Sequence, residues 1–264
     1  MFYHKAKKSL GQNFLKSKLA LKTIIESGEI SPNDTIVEIG PGKGALTELI
    51  LQTGATLIAV EKDDNLFAYL RDKYQEYISN KKLTLIHDDV LNLDDSFYAL
   101  STKNYKLIAN IPYNITGQII RKFLTTKYKP SSMVLLVQKE VAQRIVARDK
   151  KESLLSLSVK LYGTPKYIKK VPARDFSPAP KVDSAILLIK DISSPTLSQK
   201  QEKSFFDILH SGFAHKRKML IGNLSLHYSK EKVQTIFTQL SLDEKVRPED
   251  ITLSQWIALT QALS

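Results

Sequence analysis

Residues 37–50 read VEIGPGKGALTELI, and this stretch decides the fold. A β-branched run closes on glycines at 40, 42 and 44, and apolar residues at helical spacing follow at once. Strand, tight turn and helix in that order open a βα unit, because glycine enters a sharp turn freely and lets a ligand approach the main chain. Working outward, TIVEI (35–39), TLIAV (56–60), LTLIH (83–87), YKLIA (105–109) and MVLLVQ (133–138) are short and nearly continuously apolar. Strands look like this when helices cover both faces of a parallel sheet. Helical spacing fills the intervals at ALTELILQTG (45–54), DNLFAYLRDKYQEYI (64–78) and ITGQIIRKFLTT (115–126). The alternation predicts a doubly wound α/β sheet.

Past residue 150 the pattern changes. A helix over 153–163 is followed by the strand-like runs PKYIKKV (165–171) and SAILLIK (184–190), separated by the Pro-rich loop PARDFSPAPKVD. With no helix between them, they predict an antiparallel hairpin that closes the sheet. DISSPTLSQ (191–199) reads as a linker. Beyond it EKSFFDILHSGFA (202–214), HKRKMLIGNLS (215–225), KEKVQTIFTQL (230–240) and LSQWIALTQAL (253–263) are helical. The expected organisation is a sheet domain over 1–192 and a small all-α C-terminal domain over 193–264.

A chain of 264 residues, 42% hydrophobic, can bury one full core and support a smaller appended unit. It has no cysteine, which excludes a disulfide framework and a Cys-based metal site and fits a reducing, cytoplasmic location. The basic N-terminus MFYHKAKKSLGQNFL leads into no signal-like apolar run, and no segment nears the roughly 18 apolar residues that span a bilayer. No membrane role is expected. The net charge of +12 is unevenly spread: residues 1–99 hold 12 Lys/Arg against 14 Asp/Glu, residues 100–190 hold 18 against 5, and residues 191–264 hold 9 against 8. An excess confined to the middle, with aromatic residues among it, points to a polyanion, since neutralised phosphates release counterions. Nucleic acid is the expected partner.

The glycine spacing G-x-G-x-G departs from the G-x-G-x-x-G of dinucleotide enzymes, so Gly40 and Gly42 suit another adenosine-containing ligand. Glu61 follows Gly40 by 21 residues, at the end of the second strand. There an acid accepts from both ribose hydroxyls. In HDDVLNLD, Asp89 stands after the third strand, able to accept from an adenine amine while Val90 packs on the ring; Asp88 is equally possible by chemistry alone. Adenine, ribose and a charged amino-acid tail all have receptors, which favours S-adenosylmethionine (SAM).

The fourth strand ends in NIPY (110–113). An exocyclic adenine amine is a poor nucleophile because its lone pair is delocalised into the ring. Two acceptors aimed at it, the Asn110 side-chain oxygen and the Ile111 carbonyl, can draw the nitrogen towards a pyramidal geometry. Pro112 fixes its own φ and biases Ile111 away from the helical region. Tyr113 offers a face on which a flipped base can stack. No general base is required, because positioning the amine against the methyl carries the rate. Phe176, in a Pro-stiffened loop among Lys169, Lys170, Arg174 and Lys181, is the candidate for the base's second face.

The set SLGQNFL (9–15), VEIGPGKGALT (37–47), VEKD (60–63), DDVLNLD (88–94), NIPYNIT (110–116), VQKEVAQRI (137–145), VPARDFSPAPKVDSA (171–185) and GFAHKRKMLIGNL (212–224) resembles the ribosomal RNA adenine dimethyltransferases. Within them it is most similar to the bacterial small-subunit (16S) KsgA/RsmA family, over almost the whole chain. The resemblance implies a Rossmann-like class I SAM-dependent methyltransferase sheet with a small all-α domain. It implies dimethylation of two adjacent adenosines near the 3′ end of small-subunit rRNA within a pre-ribosomal particle, by a protein that is monomeric when free and needs no metal. By motif it places Gln12, Asn13, Leu15, Gly40, Gly42, Glu61, Lys62, Asp89, Val90 and Asn110 at the cofactor, and Tyr113 and Phe176 at the target base. Lys43 and Ile111 lean instead towards the large-subunit (23S) enzymes of macrolide resistance, which are the first alternative. The second is a nucleic-acid-binding assembly factor without catalysis.

Overall fold

The computed structural model describes residues 4–94, 104–215 and 217–264. Its elements run β1 (Phe14–Leu15), α1 (Lys18–Ser27), β2 (Thr35–Ile39), α2 (Ala45–Gln52), β3 (Thr56–Glu61), α3 (Asp64–Lys73), α4 (Gln75–Ser79), β4 (Leu83–His87), β5 (Tyr105–Asn110), α5 (Thr116–Thr125), β6 (Ser132–Gln138), α6 (Lys139–Ile145), α7 (Leu154–Lys160), β7 (Thr164–Val171), β8 (Phe176–Ser177) and β9 (Ser184–Lys190). Four helices follow, α8 (Gln199–Gly212), α9 (Leu220–Leu224), α10 (Lys230–Gln239) and α11 (Leu253–Leu263).

Among the described residues seven strands form one sheet in the order β4-β3-β2-β5-β6-β9-β7. The first five are parallel; β3, β2, β5 and β6 are buried almost throughout, which is why their sequences alternate so little, whereas β4 at the edge buries only Leu83. From β2 the chain winds outward through β3 and β4 and then returns to β5 on the other side. The order therefore reverses between β2 and β5, whose last paired residues Ile39 and Ala109 lie level. The loops leaving these two strands diverge there and open the crevice that doubly wound sheets use for ligands.

The expected antiparallel pairing of 165–171 with 184–190 is present, but the later strand takes the inner place: β9 lies between β6 and β7, and β7 forms the edge. Pairing shifts register between Tyr167 and Lys169, so Ile168 bulges. Between the two strands, β8 pairs with β1, Leu15 opposite Phe176.

The helix expected over 64–78 breaks at Tyr74, whose backbone leaves helical geometry (φ −112°, ψ 24°). The break turns a buried ring towards the glycine turn, where the Tyr74 hydroxyl donates to the Gly44 carbonyl at 2.8 Å. Gly44 has φ +79°, and a Cβ there would lie 2.6 Å from the Tyr74 oxygen. Gly44→Ala combines left-handed strain with overpacking and is expected to destabilise the protein by about 3 kcal/mol. Urea unfolding measures this, and wild-type stability would remove this account of the turn.

By contact the chain divides into two compact units: residues to Ala142 with Gly163–Ser193, and Gln143–Tyr162 with Ser194–Ser264. The second unit is helical, and it includes α7 from the middle of the sequence. There the Tyr162 hydroxyl donates to Glu202, the Glu152 N–H donates to the Glu249 carbonyl at 2.8 Å, and Lys151 pairs with Asp250. The helix expected over 215–225 is confined to Leu220–Leu224. Asn223 instead uses its amide to hold the carbonyls of Gly212 and His215, which fixes the approach to α9 in a turn. Lys216 of HKRKML lies outside the described residues.

Candidate active site

The turns after β2, β3, β4 and β5 meet the segment Ser9–Lys16 around a cavity of about 510 Å³. That is ample for a cofactor-sized molecule. Gly40 has φ +63°, its N–H donates to the Val60 carbonyl at 2.9 Å, and a Cβ added there would meet no atom within 4 Å. Glu61, at the end of β3, is held at both oxygens: Gly42 N–H donates to Oε2 at 3.0 Å and Asp63 N–H to Oε1 at 2.9 Å. Burial raises its pKa, with those two donors opposing the rise. Each oxygen keeps a lone pair for a further donor, as a ribose acid needs.

Beyond β4, Asp89 accepts from Lys62 Nζ at 2.8 Å and from the Leu91 N–H at 2.9 Å. Burial works upward on this carboxyl, but the ammonium and the N–H outweigh it and hold the pKa below the ordinary carboxylate value. Lys62 thus reaches the site by anchoring Asp89. Asp88, Asp89 and the buried Val90 all line the cavity, and Lys122 clamps the following loop through the carbonyls of Leu91 and Leu93.

At the end of β5 the Asn110 Nδ2 donates to the carbonyl of Asn13 at 2.9 Å. This commits one end of the amide and leaves Oδ1 as the end available to an incoming amine. Ile111 is buried and its N–H donates to the Leu136 carbonyl at 3.3 Å, while Pro112 holds an extended backbone (φ −56°, ψ 130°). No described residue donates to Asn110 Oδ1 or to the Ile111 carbonyl. Tyr113 lines the cavity, and its hydroxyl is hydrogen-bonded to Ser184 Oγ at 2.6 Å; burial raises its pKa, so the phenol is neutral.

The N-terminal segment carries the other assigned residues. Gln12, Asn13 and Leu15 line the cavity. The Gln12 amide, however, is spent at both ends, donating to Asp63 Oδ2 at 3.1 Å and accepting from the Lys7 N–H at 2.8 Å. Phe14 lies over the glycine turn, where a Cβ at Gly42 would come within 3.0 Å of its ring.

Phe176 is not where the sequence reading puts it. Its ring is 2% exposed, in the hydrophobic core with Leu15, Val171 and Ile186, and the cavity wall at this point is Ser177. The alternation of a strand residue explains this: pairing with β1 turns Phe176 inward and its neighbour outward. Among the described residues the aromatic side chains that line the cavity are Phe14 and Tyr113.

Two acids at the site were not anticipated. Glu38, 1% exposed within β2, lines the cavity, accepts from Thr47 Oγ1 at 2.7 Å, and is pushed by burial up to about 8, the charge of Glu61 adding to the rise. The signal was present, since it is the single charge in TIVEI. Asp63, also 1% exposed, caps α3 and receives Gln12 and Lys7.

Glu61, Asp89, Asn110 and Ile111 thus meet around one cavity at the switch point of the sheet, where doubly wound folds take their ligands. The sequence profile described as Ribosomal RNA adenine dimethylase matches residues 3–264. The chain belongs to the ribosomal RNA adenine dimethylase family. It is 40% identical over 254 residues to the Ribosomal RNA small subunit methyltransferase A of Dehalococcoides mccartyi strain CBDB1, covering 96% of this chain and 86% of the relative. To the protein of the same name from Fusobacterium nucleatum it is 40% identical over 259 residues, covering 97% and 96%. Two solved structures share the fold: a dimethyladenosine transferase from Plasmodium falciparum (TM-score 0.79, 24% identity, 93% of this chain and 95% of that one) and the 23S rRNA methyltransferase ErmE (0.77, 22%, 95% and 99%).

The methyl donor of a dimethylase is SAM, and the residues present fit it. Open space stands where a Gly40 side chain would be, the Glu61 carboxylate is presented by two main-chain donors, and Asp89 is held ionised by Lys62. Among the described residues no group of three or more His, Asp or Glu is placed to hold a metal ion, and no helix is long and apolar enough to cross a membrane.

Proposed function

We propose that this dimethylase transfers methyl groups to the exocyclic amines of two adjacent adenosines near the 3′ end of small-subunit (16S) rRNA, acting as a monomer on a pre-ribosomal particle. The observation that carries the reading is the Asn110 amide, pinned through its nitrogen to the Asn13 carbonyl so that its oxygen is the free end. When bound, SAM supplies an electrophilic methyl on a sulfonium. The chain supplies the rest. Asn110 Oδ1 and the Ile111 carbonyl accept from the adenine N6 hydrogens and turn the nitrogen lone pair out of conjugation. Pro112 keeps the second acceptor in one direction, and Tyr113 supports the base from one face. Gly40, Gly42, Glu61, Asp89 and Val90 hold the nucleoside of the donor, with Lys62 steadying Asp89. Holding the amine in line with the methyl is the entropic device, worth up to roughly 7 to 11 kcal/mol in favourable models. After transfer the nitrogen releases its proton to water. The small-subunit choice is supported by the names of the relatives at 40% identity.

Incubation with labelled SAM and either immature small-subunit particles or naked large-subunit RNA, followed by mapping of the modified nucleotides, tests the reading. Label is expected on adjacent adenosines of the small-subunit RNA; label confined to the large-subunit RNA overturns it in favour of the macrolide-resistance type of reaction. The basic middle segment gives a second expectation. Lys166, Lys169 and Lys181 are exposed. Replacing all three by Ala is expected to weaken RNA binding and to flatten the plot of log affinity against log salt by about 2, at about 0.7 per lost phosphate contact on single strands. An unchanged slope places the RNA elsewhere.

A further inference from the structure

Asp63 stands two residues past Glu61, the last residue of β3, and three parts of the proposed cofactor site converge on it. Its Oδ1 accepts from the N–H groups of Asn65 (3.0 Å) and Leu66 (3.2 Å), capping α3. Its Oδ2 accepts from Gln12 Nε2 at 3.1 Å and from Lys7 Nζ at 2.9 Å, which ties down the N-terminal segment whose next residues wall the cavity. Its own N–H donates to Glu61 Oε1 at 2.9 Å. Asp63 does not itself line the cavity.

We infer that Asp63 is a positioning residue for the cofactor, a buried latch that seats the N-terminal segment, and through it Asn13 and Phe14, against the site while its main chain presents the Glu61 carboxylate. The inference rests on the reading that this cavity takes SAM. The latch has a chemical polarity: a carboxylate oxygen faces an amide N–H and an ammonium. Asp63→Asn can still cap α3 through its oxygen, but it sets an NH₂ against Gln12 Nε2 and Lys7 Nζ, donor against donor. Adding Gln12→Glu reverses the pair. One carboxylate oxygen can then accept from the Asn amide, the other keeps the Lys7 N–H, and Lys7 keeps a negative partner.

Calorimetric binding of S-adenosylhomocysteine to the full-length protein, without RNA, reads this directly. Asp63→Asn is expected to weaken it about tenfold, in line with loss of a charge-assisted hydrogen bond, and to raise KM for SAM alike while kcat at saturation stays within about twofold. Adding Gln12→Glu is expected to restore affinity to within about threefold of wild type. Amide hydrogen exchange over residues 4–16 of the cofactor-free protein should quicken in the single variant and slow again in the double. Unchanged affinity in folded Asp63→Asn, a fall in kcat with KM unmoved, or failure of the double variant to recover would overturn the inference. Should Asp63→Asn not fold, Lys7→Met decides, because Lys7 is 40% exposed in its side chain: about threefold weaker binding supports the latch, and wild-type binding overturns it. A wild-type protein that binds no S-adenosylhomocysteine sinks the cofactor reading and this inference with it; binding that Asp63→Asn leaves untouched sinks the inference alone.

Discussion

Asn110→Ala is expected to lower methyl transfer by about a thousandfold, the upper end of what removal of one preorganised polar group from a transition state costs. RNA affinity should stay within about twofold, since phosphate contacts by lysine and arginine dominate it. The size of the kinetic effect follows from the chemistry. Without the side-chain oxygen, a single acceptor remains for an amine whose lone pair belongs to the purine ring, and nothing holds the nitrogen in line with the methyl. Asn110→Asp sharpens the test. It keeps an acceptor but replaces the Nδ2 that donates to the Asn13 carbonyl with a second oxygen, so the group is repelled from its anchor. Single-turnover rates with saturating RNA and SAM measure both variants, and near-normal turnover of Asn110→Ala would mean that the amine is oriented by something else.

Glu38 gives the second large effect, on stability against pH. Burial pushes its carboxyl from the ordinary 4.5 up to about 8, against the opposing hydrogen bond from Thr47. The folded protein therefore holds a proton here that the unfolded chain has released. Between these two values the native state binds more protons than the unfolded state, so stability falls as pH rises through the window and levels off above it. Over the full window the loss amounts to roughly 5 kcal/mol, at about 1.4 kcal/mol per pH unit. Glu38→Gln mimics the protonated acid and cannot ionise. Its Tm should match wild type near pH 5 and exceed it increasingly towards pH 8. The difference between the two curves isolates Glu38 from Glu61, whose raised pKa tilts both in the same direction. Parallel curves would mean that Glu38 is ionised throughout.

The fold was legible because its signals are local. TIVEI and LTLIH are the observed β2 and β4 to the residue, and YKLIA and TLIAV each lack only the final polar residue of theirs. Burial on both faces of the central strands leaves a continuous apolar run, and the glycine turn after β2 punctuates it. The break at Tyr74 was not legible, since the reason for it is a carbonyl thirty positions earlier. Nor was the inner place of β9, which depends on which neighbour a strand pairs with and not on its own pattern. The site divides the same way. Gly40, Glu61, Asp89 and Asn110 announce themselves by falling at strand ends. Asp63 and Gln12 matter through each other across 51 positions, and neither residue type alone betrays the pairing. Phe176 misled because an aromatic residue between prolines reads as an exposed loop, whereas a two-residue strand turns it into the core.

The Asn110 amide leans on a main-chain oxygen, that of Asn13. Every amino acid brings the same atom. Drift in the side chain at position 13 therefore leaves the support of Asn110 standing, and only a shift of the backbone itself can withdraw it. One half of the contact, the Asn13 oxygen, is thus common to every residue type that position could hold.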